Sequence, residues 1–161
     1  MTGRDGSMID VPSAALRGPA PMRVLLPAGW SAAEAAGAIV ALQPPDVDGA
    51  SVLVGASRVA VDTELRDIAV RSFARQRARH PQLRLDSQRV GRFGDRITYL
   101  RAVTVPGEPE LSQIHALFFA PRHPDRAVVD AITVVGSCPT ASIGSFGPIT
   151  IDVVASVEFT E

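Results

Sequence analysis

The hydrophobic pattern is strongest over residues 111–136, where LSQIHALFFA and AVVDAITVV flank a short connection containing Pro and Asp. The first run is apolar at alternate positions and the second at nearly every position. That predicts two long strands, the second buried on both faces at the middle of a sheet. Upstream, residues 22–27, 37–43 and 51–58 predict three shorter strands. The first is stopped by the turn Pro27-Ala28-Gly29-Trp30, the second by Pro44-Pro45 and Asp46-Val47-Asp48-Gly49.

At Asp62 the period changes from two to 3.6. Leu65, Ile68, Ala69, Ser72 and Phe73 fall on one helical face, with Asp62 as the expected N-cap and Glu64 and Asp67 in the first turns. His80-Pro81 ends this helix, because the residue before proline is pushed out of the helical region. Residues 82–90, a turn at Gly91 and a longer strand over 93–105 follow, with Ile97, Tyr99, Arg101 and Val103 alternating. Pro106-Gly107-Glu108-Pro109 leads into the central pair. Residues 137–147 are small and polar, a loop or a helix start. In the tail, β-branched content favours a strand, but Phe146, Ile149, Val153 and Val157 recur at helical spacing and predict a closing helix.

The order is three strands, a helix, four strands, a helix. Short connections favour antiparallel pairing, so the expected fold is α+β: a single mostly antiparallel sheet of about six or seven strands with two main helices. One domain spans residues 22–161, and the Gly-, Pro- and Ser-rich residues 1–21 are expected to form a poorly ordered lead-in.

Composition narrows the chemistry. The chain of 161 residues is 46% hydrophobic and 20% charged, with a net charge of −1. These are the proportions of a globular domain with no long-range field toward nucleic acid or an anionic membrane. All 16 basic residues are arginine, the codon bias of a GC-rich, actinobacterial type of genome. Without lysine there is no Walker A loop and no lysine Schiff base, so pyridoxal phosphate cannot be attached in the usual way. No cofactor is expected. No apolar run has signal-peptide or membrane-spanning length, and the one cysteine, Cys138, stands far from the N-terminus. The expected location is cytoplasmic, without membrane insertion.

The words PAGW, SVLVGASR, the hairpin at Gly91, HALFFAP, AVVDAITVV and the closing SVEF, spread over residues 22–159, resemble the PsbP/Mog-type αβα sandwich. Within it, they resemble the LpqN-like proteins of mycobacteria and relatives. The resemblance implies adaptor-like roles: photosystem extrinsic subunits, a nuclear-import cofactor, envelope lipoproteins and secretion chaperones. It carries over no catalytic residue. The chain departs from the lipoprotein members in lacking an N-terminal signal and a lipid-acceptor cysteine.

Individual residues offer little catalytic company. His115 lies mid-strand with Gln113 and Tyr99 as its nearest imaginable partners; a half-buried, hydrogen-bonded histidine is its commoner role. Cys138 precedes Pro139 and reads as an inert small side chain. His80, His115 and His123 lack metal-ligand spacing, and nothing gathers Asp125 and Asp130 about them. Ser137, Ser142 and Ser145 lack the frame of a nucleophile elbow. Arg71, Arg75 and Arg79 follow at i+4 spacing, either a solvated helix face with an Asp67–Arg71 pair or a patch for an acidic partner. Trp30 packs under the sheet edge or stands out as a binding anchor.

Trp30, Arg71, Arg75, Arg79 and His115 are therefore the candidate partner-binding residues. The leading expectation is a non-catalytic protein-interaction domain, adaptor or chaperone-like, monomeric or homodimeric, with a protein partner and no nucleic acid. The alternative is a small-ligand or lipid-binding module with a cavity between sheet and helices, suggested by Phe93, Phe118, Phe119 and Phe146. More remote is a hydrolase using Cys138 or a serine with His115.

Overall fold

The computed structural model describes Met8, Asp10, Pro12, Ser13 and residues 17–160. Its main sheet has seven strands, all paired antiparallel: β2 (Ser31–Ala33), β3 (Val40–Gln43), β4 (Ser51–Ala60), β8 (Val128–Pro139), β7 (Leu111–Phe119), β6 (Arg96–Val105) and β5 (Arg84–Phe93), in that spatial order. β1 (Met22–Arg23) and β9 (Glu158–Phe159) form a separate two-stranded ribbon. β8 is the fourth of the seven strands, flanked by β4 and β7. Its apolar run thus occupies the centre, buried on both faces over 129–132 and alternating between buried and half-buried beyond.

Helix α1 (Leu65–Arg79) covers part of one face and α2 (Ile143–Ser156) the other. Alternation along the strands assigns side chains to the two layers. Leu117 and Ala131 turn to α1 and pack with Ile68 and Ala69. Ala116, Phe118, Ile132, Val134 and Cys138 turn to α2 and pack with Phe146, Val153 and Val154. In α2 the buried Phe146, Thr150, Val153 and Val154 recur at helical spacing, which decides the ambiguous tail in favour of a helix. This α2 layer is closely filled. Phe118 is fully buried, and a Cβ added at Gly136 would lie 2.6 Å from Thr150 Cγ2. Phe118 and Phe146 therefore fill the space between sheet and α2 where a ligand cavity is expected.

Several boundaries differ from those expected. The first strand keeps only Met22–Arg23 and pairs with β9, not with the main sheet; Leu25 N–H goes to Ser156 Oγ at 2.8 Å. Gly37 takes φ 76°, so the following strand begins only at Val40. Glu64, not Asp62, occupies the N-cap of α1 and makes no side-chain cap bond. Asp62 belongs to a turn in which Thr63 N–H reaches Ala60 O at 2.9 Å. The β5–β6 turn is Gly94-Asp95 with Gly94 at φ 62°, the first central position of a hairpin turn. Gly91 is mid-strand opposite Thr98. Ser137 and Cys138 do not open a loop but continue β8, pairing with Gln113 and Ser112. A short 3-10 turn, Thr140–Ser142, then enters α2. The expectation of a poorly ordered lead-in over residues 1–21 lies largely outside the described residues; Arg17, Gly18 and Ala20 are bonded to Arg58 and Asp130 of the sheet.

Candidate functional site

Two regions carry polar chemistry on this frame. The first lies under and beside α1. Ile68 packs with Leu117, and Gln76 bonds Gln113 of the same strand, so α1 runs along β7 and antiparallel to it. Gln76 Nε2 donates to Gln113 Oε1 at 2.7 Å, and His115 Nε2 lies 2.9 Å from the same oxygen. An Nε2–H tautomer of His115 makes that second bond. Gln113 Nε2 reaches Ser137 Oγ at 3.5 Å. Arg101, opposite His115 on β6, donates to Ala69 O at 3.1 Å and Ser72 Oγ at 3.0 Å, with its guanidinium over Phe73. Burial, reinforced by the Arg101 charge, lowers the His115 pKa to about 4. This histidine is neutral at pH 7 and orients Gln113, which with Arg101 ties α1 to the sheet.

Among the expected site residues, His115 and the three arginines share one region. Arg71, Arg75 and Arg79 are exposed on α1. Arg71 Nε donates to the backbone oxygen of Asp67 at 3.3 Å, not to its carboxylate, so the expected ion pair is absent among the described residues. Trp30 is elsewhere. The 27–30 turn closes through Trp30 N–H to Pro27 O at 3.0 Å, and the indole stacks on Phe146 with centroids 5.7 Å apart. It is a half-buried packing residue of the α2 layer. Tyr99 shares the His115 face but packs with Leu117 and Ala131. Cys138 is fully buried on the α2 face, the opposite side of the sheet from His115, and burial raises its thiol pKa. A Cys138–His115 pair is therefore geometrically excluded, and Gln113 engages both His115 Nε2 and the Ser137 hydroxyl. Among the described residues no three potential metal ligands gather, and no helix is long and apolar enough to cross a membrane.

The second region lies where β7 passes into β8. Asp130, only 6% exposed, accepts Ala20 N–H at 2.8 Å and faces Arg58 Nε at 3.4 Å. Arg58 Nη2 donates to Arg17 O at 2.8 Å and Gly18 O at 3.0 Å. The pair thus grips the backbone of 17–20, and Thr160 N–H to Pro21 O at 2.9 Å continues the attachment. Beside this strap is a cleft of about 900 Å³ walled by Pro19, Ala120, Pro121 and Val129, with Arg17, His123 and Arg126 about it. A second cleft of about 610 Å³ shares Ala120, Pro121 and Phe159 with it and reaches Leu65, Ile97 and Phe119. No spacing rule could have found this clamp: Arg58 and Asp130 are 72 positions apart and meet only through β4–β8 register.

No family model matches the chain, and no curated protein does. Solved structures do. LpqN of Mycobacterium tuberculosis, described as involved in cell envelope biogenesis, superposes with a TM-score of 0.71 at 9% identity, over 89% of this chain and 87% of its own. Cyanobacterial PsbP from Synechocystis gives 0.64 at 15% identity, over 98% and 100%. The fold is PsbP/LpqN-like. A protein of unknown function from Pseudomonas aeruginosa gives 0.55 at 13% identity, over 82% and 98%. At these identities the likeness concerns the fold alone. What this PsbP/LpqN-like chain does must be read from its own surfaces.

Proposed function

We propose that this PsbP/LpqN-like domain is a non-catalytic protein-interaction module of the adaptor or chaperone type. The observation that carries the proposal is the uneven cover of the sheet. α2 buries its face, whereas α1 lies along β7 and leaves Leu53 and Ser57 of β4 exposed beside the arginine flank. A half-open sheet face bordered by a helix is a common shape for docking another chain. The solved structures it resembles, a protein involved in cell envelope biogenesis and a cyanobacterial PsbP, are compatible with such a role. A photo-crosslinking residue at Ser57 in the native host should capture one stoichiometric protein, and the same residue at Asp152 on α2 should not. No protein captured through Ser57 would remove the proposal.

A second reading has its own observation. The cleft of about 900 Å³ beside the strap has walls of Pro, Ala and Val with arginines about it, within the size range of small-ligand sites. It would hold a small amphiphile at the end of the sheet, not between sheet and helices. Native mass spectrometry of the purified protein, finding no adduct even after incubation with fatty acids, would dismiss it.

A further inference from the structure

Ile68, Arg71, Arg75 and Arg79 fall at i, i+3, i+7 and i+11, one stripe of α1. Ile68 lies in one apolar cluster with Leu117 of β7 and Ala131 of β8, against which Val59 of β4 packs. Phe73 turns the other way, under Arg101 of β6. The arginine stripe therefore borders the part of the sheet that α1 leaves open.

The floor there is Leu53, Gly55 and Ser57 of β4 with Thr133, Val135 and Ser137 of β8, all on one face by register. It is uncharged and without an aromatic ring. Leu53 is 37% exposed, the most open of the large apolar side chains on β4. The far wall is the β2–β3 connection: Gly37 O comes within 3.9 Å of a Cβ placed on Gly55, and Glu34 is its carboxylate. Among the described residues, none of the three arginines has a carboxylate partner.

Spacing selects the occupant. Residues four apart on a helix are separated by about 6 Å along its axis. Alternate residues of an extended strand are separated by about 6.7 Å. A strand laid along the groove would bring every second side chain opposite successive arginines and press the intervening ones onto Leu53 and Val135. Nucleic acid would meet the same positive row but no stacking surface.

We propose that this groove binds an extended segment of a partner protein with carboxylates at alternate positions and small or apolar residues between them. The proposal rests on the interaction reading above and adds the chemistry of the partner.

The test uses a fluorescein-labelled octapeptide alternating Glu and Val, followed by anisotropy. Controls are an octapeptide of the same composition in two blocks, one with Lys for Glu, and an oligothymidylate of equal charge. The alternating peptide should bind best, weakening as salt rises. Arg75→Glu should weaken it at least about tenfold, Arg75→Gln by less, and Arg89→Glu, on the other face of the β5 edge, not at all. Thermal melts of the variants should match the parent, since these side chains are exposed. Equal binding of the block peptide, equal or tighter binding of oligothymidylate, or indifference to Arg75→Glu would overturn the proposal. If the octapeptide fails while Ser57 still crosslinks a host protein, this inference falls and the interaction reading stands.

Discussion

The guanidinium carbon of Arg96 lies 4.2 Å from the centroid of the Phe118 ring. Its Nη1 donates to Val157 O and its Nη2 to Val154 O, each at 2.8 Å. One side chain at the start of β6 thus covers the central core ring and satisfies carbonyls at the end of α2, where a positive charge is favoured. Lysine cannot reproduce two parallel bonds with a ring contact. Arg96→Lys should therefore cost about 2 kcal/mol and Arg96→Ala about 3 kcal/mol, as urea denaturation would measure. A variant as stable as the parent would mean that this tie contributes nothing.

Phe118 is fully buried and meets Phe159 edge-on at 6.4 Å. Phe118→Ala should cost about 3–5 kcal/mol through the cavity it leaves. Against a total of roughly 5–15 kcal/mol, that removes between about a fifth and the whole of the stability. An unchanged melting temperature would contradict its place in the core.

At Gly136 the difficulty is space. A methyl group there would meet Thr150 Oγ1, Cγ2 and Cβ, the last two at 2.6 and 3.0 Å. Thr150 is itself fully buried and bonded to Phe146 O at 3.2 Å, so it has nowhere to move. Gly136→Ala should destabilise by about 1–3 kcal/mol through overpacking. Thr150→Ala removes two of the three clashing atoms, so the double variant should lose less than the sum of the singles. Simple additivity in a double-mutant cycle would refute the contact.

His115 gives a pH dependence of known sign. Its pKa falls from 6.5 to about 4 on folding, chiefly through burial. Between those values the unfolded chain binds the extra proton, so stability is full above pH 6.5 and is lost as pH falls toward 4. The loss between pH 7 and pH 5 should be about 2 kcal/mol. It should vanish from the pH-dependent difference in His115→Gln, read by denaturation at the two pH values. A parallel pH dependence in both proteins would place the titration elsewhere.

Much of this frame can be read directly from the chain, because burial imposes periods on it. AVVDAITVV lacks alternation, and β8 does lie at the sheet centre, buried on both faces over 129–132; beyond that, Thr133 and Val135 on the α1 side are only half-buried. The α1 stripe of Leu65, Ile68, Ala69, Ser72 and Phe73 faces the sheet as its spacing demands. What escaped the pattern was short, or was set by distant partners. β2 and β9 are three and two residues long, below any periodic signal. Gly91 and Gly94 are both plausible turn residues in sequence; register alone chooses Gly94. The region of Arg71, Arg75, Arg79 and His115 was legible as residue types on a helix and a strand. The open floor beside them was not, since it depends on where α1 lies across the sheet.

The ribbon of Met22–Arg23 with Glu158–Phe159, extended by the bond from Thr160 to Pro21, brings two distant parts of the chain side by side. Topologically the domain is close to a closed loop. Linking those segments and opening the chain in an exposed turn such as Gly94-Asp95 would leave every layer and every strand neighbour in place. Its architecture is then a property of which segments touch, more than of the order in which they are synthesised.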